Sequence, residues 1–351
     1  MGKIILRYMA ALGILLILSV EVGFMRLVWV EYSPEDAPEA FFSDVFTNTL
    51  ALQEPLQYTQ VPRGDDQARM PADLQVLLEE RVADYAIYYL RPDLEQEPFV
   101  QSSRQQQPAS MIKLFVMAKA MEDVKAGRMS LDEPVTLQKE DVVGGAGKLT
   151  IYNLGTPVTV RELITLMIQA SDNTATNALI TKLGMGEINA YLEREGYHDT
   201  KLNHKMMLQK VETLEKKGKR TRKVTTTLPS NLSSVQDVGT LLTRIYKHEC
   251  VGEQEDEFMV ETLKGQEDKI CFNAALPDWQ IAHKTGEYSG TFHDGGIFYG
   301  PEGGFVLVIF CEKYAGRQIA IEDMQEMVWY FASRLSDLRN KLSEENGFSR
   351  L

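Results

Sequence analysis

Cysteine is scarce in this chain: Cys250, Cys271 and Cys311 are the only three in 351 residues. None stands in a CxxC pair, which excludes a disulfide-rich scaffold and leaves no dithiol or zinc signature. They read as buried small hydrophobes, with one disulfide as the alternative. Positive charge is also in deficit, 37 lysines and arginines against 50 acidic residues for a net −13, so no global field attracts a nucleic-acid backbone. Histidine is sparse, and His198, His204, His248 and His283 lack the spacing of a metal-ligand set. Neither a metal nor a cofactor is expected. What the chain does have is 44% hydrophobic and 25% charged residues, an ordinary folded composition with enough apolar side chains for a sizeable core.

Long apolar runs are confined to the beginning. Lys3 and Arg7 precede an apolar run from Tyr8 to Val20; after Glu21 a second stretch reaches Val30, interrupted by Arg26. No A-x-A-like cleavage pattern and no cysteine follows the first run, so residues 1–30 read as an uncleaved signal-anchor. The alternatives are a cleaved signal with secretion, or a buried N-terminal helix. Basic residues before the run and Glu31, Glu35, Asp36 and Glu39 after it place the remainder outside the cytoplasm by the positive-inside rule. Residues 31–72 carry five prolines among acidic and polar residues and read as a linker.

Beyond the linker, Asp73–Arg81 reads as helix and Tyr85–Leu90 as an aromatic-rich strand. A long helix follows Pro108 and stops at Gly127. Residues 113–265 read as mostly helical. Strands are expected at Trp279–His283, Gly296–Tyr299 and Phe305–Cys311, then an amphipathic helix at Ile321–Leu338 and a polar tail over 341–351. Strand, helical block, strands and closing helix in that order predict an α+β domain over 73–340, its sheet assembled from both ends.

Three short strings stand in order: Ser110-Met-Ile-Lys113, Ser171-Asp172-Asn173 and Lys284-Thr285-Gly286. At roughly 5–7% usage per residue type, the first arises by chance about once in such a chain, and each of the others about once in ten or more. In this order they point to one chemistry. Ser110 follows Pro108, where a helix begins, so Lys113 comes one turn later on the same face. A serine hydroxyl needs a base, and a lysine serves when burial or a neighbouring cation depresses its pKa. Taken singly, Ser110 reads as a cap and Lys113 as a solvated side chain. The second string falls at a break between helices, where Ser171 can pass a proton to a leaving nitrogen, Asn173 can bind a substrate carbonyl and Asp172 can hold the loop. In the third, at the end of a strand, Lys284 and Thr285 suit a substrate carboxylate, and Gly286 permits close backbone approach. The N–H groups of Ser110 and Glu287 are the candidate oxyanion donors.

The strings and their order resemble those of the penicillin-recognising serine enzymes. Val160–Ile180 and Asn231–Val238 are similar to the class A β-lactamase-like lineage among them, over about residues 73–340. The resemblance implies a five-stranded antiparallel sheet flanked by helices with a mostly helical insertion. It also implies Ser110 as nucleophile, Lys113 as its activating partner, Ser171 as proton relay, Asn173 as substrate ligand, and Lys284 with Thr285 as carboxylate ligands. The implied function is a membrane-tethered bacterial serine hydrolase acting on β-lactams through an acyl-enzyme. The alternatives are a D-alanyl-D-alanine carboxypeptidase of cell-wall metabolism, or an idle muropeptide-binding domain.

One departure bears on turnover. The family's deacylating glutamate, in a glutamate-x-x-leucine-asparagine string, has no counterpart in Thr200-Lys-Leu-Asn-His-Lys-Met-Met207: Met206 or its neighbour stands in its place, and Lys210 replaces the asparagine. Deacylation is therefore expected to be slow, unless a shifted loop presents Glu212 or Glu215. The basic run Lys210–Lys223 reads as a solvated loop, or alternatively as a site for anionic envelope polymers or lipid headgroups. His293-Asp294 reads as a structural histidine at a strand start, or alternatively as a catalytic pair.

Overall fold

A computed structural model describes residues 14–21, 24–31 and 71–345 apart from 80, 95, 218, 219 and 302. The chain divides into two compact units, Met1–Gln57 and Tyr58–Leu351. In the first, β1 (Ile14–Glu21) and β2 (Phe24–Glu31) pair antiparallel, with Ile14 opposite Glu31 and Glu21 opposite Phe24. The backbone here is extended where a spanning segment is expected to be helical. Among the described residues no helix is long and apolar enough to cross a membrane. Most of the expected linker, 32–70, and the tail beyond Glu345 lie outside the described residues.

The second unit is built on a five-stranded antiparallel sheet flanked by helices, an α+β arrangement. Its strands are β3 (Asp84–Leu90), β4 (Phe99–Gln101), β9 (Gln280–Tyr288), β10 (Thr291–Gly300) and β11 (Gly303–Glu312), in the order β4-β3-β11-β10-β9. Both faces of the central strands are covered, which is why they read as continuous apolar runs rather than as alternating ones. On β11, Val306, Val308 and Phe310 join the core under the helical block; Phe305, Leu307, Ile309 and Cys311 join a second core beneath the terminal helices. That second layer consists of α1 (Ala72–Glu79), α8 (Phe272–Ala275) and α9 (Arg317–Glu345). The last helix is longer at both ends than its amphipathic pattern indicates.

The helical block holds α2 (Ile112–Lys125), α3 (Val160–Gln169), α4 (Asn173–Leu183), α5 (Met185–Arg194), α6 (Val235–Tyr246) and α7 (Glu253–Lys264). Helix α2 is buried without a break from Ile112 to Met121, Lys113 and Lys119 included. Thr159 and Glu162 form a capping box at the start of α3, and Asp172 caps α4.

The middle of the chain is less helical than its sequence suggests. Short strands β5 (Pro134–Thr136) and β6 (Pro157–Thr159) pair. The basic run is no loop but a hairpin of β7 (Lys210–Lys217) and β8 (Arg220–Thr227). Strand β9 continues through Lys284-Thr285-Gly286 instead of ending before it, and β10 begins early enough to contain His293 and Asp294. All three cysteines are free thiols, with Cys271 and Cys311 buried and Cys250 half-buried, so the alternative of a disulfide is not realised.

Candidate active site

The three strings converge. Ser110 sits in a single 3-10 turn, Ala109–Met111, that leads into α2. Ala109 holds a left-handed φ of 47°, costly for a residue with a side chain and often found where a fold positions a reactive group. One turn on, the fully buried Lys113 donates from Nζ to the Ser171 carbonyl oxygen at 2.6 Å and to Asn173 Oδ1 at 2.9 Å, and lies 3.1 Å from Ser171 Oγ. From the opposite side Lys284 Nζ reaches the same Ser171 Oγ at 3.1 Å and the Thr285 carbonyl oxygen at 2.8 Å. Lys113 Nζ is thus hydrogen-bonded to Ser171 and Asn173 and not to Ser110. Among the described residues the Ser110 hydroxyl makes no hydrogen bond, which leaves it open to the cleft.

Two ammonium groups in one water-poor site cannot both hold protons cheaply. Burial, and next the neighbouring Lys284 cation, push the Lys113 pKa well below the usual lysine value, with Asp172 pulling the other way. Burial lowers the Lys284 pKa to about 8, against the opposing pull of Asp294 and Asp268. One lysine is thereby disposed to be neutral, and the other to be charged at neutral pH.

The Ser171-Asp172-Asn173 turn is held from below. Asp172 Oδ1 accepts from the Ala175 N–H at 2.8 Å; Oδ2 accepts from Lys148 at 2.5 Å and Leu149 at 2.8 Å. Asn173 adds its own N–H to the Ala146 carbonyl and its side-chain amide to that of Gly144. Gly147 must be glycine twice over: its φ is +131°, and a Cβ there would lie 2.4 Å from Asp172 Cγ. On the other wall, a Cβ at Gly286 would stand 3.0 Å from the Pro108 carbonyl oxygen and 3.2 Å from the Ser110 nitrogen. That close approach carries β9, the edge of the sheet, against the serine turn and puts Glu287 beside it.

A cleft of about 490 Å³ opens over Ser110, lined also by Gln107, Asn173, Met206, Lys210, Glu287 and Tyr288. Met206 is therefore in the cleft, its backbone fixed from both sides by the Asn177 side chain at 2.7 and 3.1 Å. Both Glu212 and Glu215 lie on β7; Glu212 is not among the lining residues and pairs with Lys223 at 2.6 Å. Glu287 does line the cleft, but Arg317 holds its carboxylate in a two-pronged ion pair at 2.8 and 2.9 Å.

His293 and Asp294 do not pair with each other, because neighbours on a strand face opposite ways. His293 Nδ1 accepts from the Cys311 N–H, so Nε2–H donates to the Gln107 carbonyl at 2.8 Å and steadies the approach to Ser110. Asp294 instead takes His283 at 2.9 Å. Sequence reasoning missed Gly144, Gly145 and Gly147, though their clustering is a legible turn signal. It also missed Asn177, Arg317 and His204, for which no local pattern exists. His204 lines the cleft with Nδ1 bonded to the Lys205 carbonyl at 2.7 Å and Nε2 buried without a partner among the described residues. Among the described residues no cluster of His, Cys, Asp and Glu is placed to hold a metal.

Fold and site together define a class: α+β proteins with a serine at the head of a buried helix, faced by two lysines. A family model described as the beta-lactamase enzyme family matches residues 69–328, and the chain belongs to that family. Its fold is shared by a β-lactamase from Sphaerobacter thermophilus DSM 20745, with a TM-score of 0.65 at 22% identity over 75% of this chain and 96% of that one. PBP-A matches with a TM-score of 0.65 at 22% identity, covering 78% and 98%. A reconstructed class A β-lactamase of the last common ancestor of Gram-negative bacteria matches at 0.64 and 20%, covering 75% and 97%. The chain is accordingly a domain of the beta-lactamase enzyme family on a fold that PBP-A shares.

Proposed function

We propose that this chain opens β-lactams through an acyl-enzyme on Ser110 and releases the product slowly. The observation that carries this reading is the convergence of Lys113 and Lys284 on one hydroxyl, Ser171 Oγ, beside a serine free of hydrogen bonds. In this mechanism neutral Lys113 takes the Ser110 proton and Oγ attacks the lactam carbonyl carbon. The N–H groups of Ser110 and Glu287 hold the oxyanion. The C–N bond then breaks, and Ser171 delivers a proton to the departing nitrogen, resupplied from Lys113. Lys284 and Thr285 hold the substrate carboxylate, and Asn173 its amide carbonyl. Hydrolysis of the ester is slow because Met206 accepts no proton and Glu287 is occupied by Arg317.

The same machinery serves a peptidase reading, cleavage of D-alanyl-D-alanine-type cell-wall peptides, favoured by the apolar Met206 in the cleft. PBP-A, which shares the fold, has a mutant described as an acyl-enzyme complex with penicillin G. For location, Lys3 and Arg7 ahead of the apolar run and the acidic residues behind it support a membrane tether with the catalytic unit outside the cytoplasm.

Mass spectrometry of the intact protein after exposure to penicillin tests the reading. One adduct on Ser110 is expected, absent in Ser110→Ala, with a burst of about one equivalent of chromogenic β-lactam before a slow steady state. Labelling that survives Ser110→Ala overturns the nucleophile, and failure of the wild type to label leaves only the idle muropeptide-binding domain. Turnover of a D-alanyl-D-alanine peptide with β-lactam merely trapping the enzyme selects the peptidase. Retention of the full-length protein in carbonate-washed membranes checks the tether.

A further inference from the structure

Met207 holds a left-handed φ of 61°. It is the third residue of a turn closed by the Leu208 N–H on the Lys205 carbonyl at 3.2 Å, and Met206 ahead of it has no positive φ. A turn of that pattern normally carries glycine or asparagine at the third place, because a side chain there crowds the backbone. Nothing in the turn's own stability calls for methionine.

The turn cannot relax, because every residue before Met207 is tied down. Asn231 accepts from the His204 N–H at 3.0 Å and donates to its carbonyl at 3.1 Å. Lys205 Nζ donates to the buried Asp141 carboxylate at 2.7 Å and to Thr181 Oγ1 at 2.6 Å. Asn177 grips the N–H and the carbonyl of Met206. Strain that persists because its surroundings over-determine it is often part of a site.

What the strain accomplishes is visible across the cleft. Met207 lines the space over Ser110 and yet is 57% exposed, so its side chain forms the outer edge of that space. A Cβ on Gly145, in the facing loop, would stand 3.8 Å from Met207 Sδ and 2.8 Å from Asn173 Nδ2. The thioether therefore reaches over to the glycine loop and lies near the amide assigned to the substrate carbonyl. Tyr288 on β9 lines the same cleft and is 39% exposed. Two large apolar side chains left open to water at one mouth, with Met206, Ala109 and Ala146 also in the lining, suit an apolar group better than a polar one.

We propose, on the acylation reading above, that Met207 selects the substituent carried on the amide that Asn173 binds, and that this substituent is aromatic. A thioether on three rotatable bonds gives way to a ring and then packs against it, sulfur about 5 Å from the ring. The pinned backbone keeps it over the cleft while it does so.

Acylation of the full chain by benzylpenicillin and by 6-acetamidopenicillanic acid, which keeps the amide and lacks the ring, tests the proposal when followed by intact-mass kinetics. The wild type should prefer benzylpenicillin, and Met207→Ala and Met207→Gly should each lower that preference about tenfold. Met207→Leu, which keeps the apolar bulk, should retain the larger part of it. Met207→Gly should also melt higher than Met207→Ala, because only glycine takes this φ freely. The reverse order leaves no strain to explain and overturns the proposal. So does a preference unchanged in both truncations, or one lost in Met207→Gly alone, which assigns the effect to a loosened backbone. Equal slowing on both compounds overturns it as well, since it makes Met207 a merely structural residue. Failure of the wild type to label with either compound defeats the acylation reading and this inference with it, whereas labelling that ignores residue 207 defeats this inference alone.

Discussion

Lys113 and Ser171 meet twice: the lysine Nζ donates to the Ser171 carbonyl oxygen at 2.6 Å and stands 3.1 Å from its hydroxyl. Ser171 in turn holds a left-handed φ of 53°, the conformation that turns both of its oxygens toward the lysine side of the cleft. The hydroxyl also touches Lys284 at 3.1 Å. The two lysines and Ser171 are therefore one hydrogen-bonded unit, and the protonation of either lysine is felt at the serine between them.

The pH dependence of acylation follows from that unit. In the proposed mechanism Lys113 acts neutral, and burial with the Lys284 charge keeps its pKa low. Lys284 acts charged there, and burial brings its pKa to about 8. Acylation should therefore fall as pH rises through about 8, where the Lys284 cation is lost. Stopped-flow labelling with a fluorescent penicillin from pH 6 to 10 measures this fall. In Lys284→Arg the basic limb should move beyond the accessible range, since a guanidinium does not titrate there. A wild-type rate flat to pH 10 removes Lys284 from the site.

Stability should oppose function at Lys284. Its pKa is depressed in the fold, from 10.5 to about 8, so between these values the unfolded chain binds more protons and stability rises with pH. Below pH 8 the full cost is present, about 3 kcal/mol for a shift of this size. Lys284→Met should raise the melting temperature at pH 7 while abolishing labelling, and the gain should shrink toward pH 10. A variant less stable than the wild type by the same margin at both pH values refutes the electrostatic account.

Asp172 is the clamp of the second wall, accepting from Lys148, Leu149 and Ala175 with no exposure to water. Its removal in Asp172→Ala strands the buried Ala175 N–H, worth about 1–3 kcal/mol, and frees the part-buried N–H groups of Lys148 and Leu149 to water. A loss of about 2 kcal/mol in denaturant unfolding is expected, with slower acylation. Gly147→Ala attacks the same contact from the other side. The double variant should cost clearly less than the two singles added together.

Met206 offers a test by gain. Its backbone is pinned by Asn177 and its side chain lines the cleft, so a carboxylate introduced there enters a fixed position. General-base catalysis is worth about 10² to 10⁴ in rate, and Met206→Glu should shorten the acyl-enzyme lifetime by at least about tenfold while leaving the burst amplitude unchanged. Decay of the labelled protein in intact mass spectra gives the lifetime directly. Brisk wild-type turnover with no burst would instead mean that another group already activates water.

Much of this molecule was legible in the chain. Ser110, Lys113, Ser171, Asn173, Lys284 and Gly286 stand in short strings whose spacing is local, and the helices around them follow from apolar period and capping residues. Four of the five sheet strands read as apolar or aromatic runs, because both faces of the central ones are covered. Strand β4 was invisible, since three half-buried residues carry no pattern, and the extent of β9 was underestimated because Lys284 and Thr285 are polar. The basic run reads as a loop because its closely spaced lysines and arginines give no strand period, although its backbone pairs as a hairpin.

Local sequence could determine the reactive groups and the elements that carry them, because i to i+3 spacing, turn residues and hydrophobic period act within a few residues. Only the tertiary structure could decide which groups meet. That Lys113 binds Ser171 rather than Ser110, that Arg317 takes up the Glu287 carboxylate, and that Met206 rather than Glu212 lines the cleft are pairings across 30 to 60 residues or between separate loops. Such contacts are set by how the sheet edge, the helical block and the hairpin root pack together, and burial then sets the charge each lysine carries.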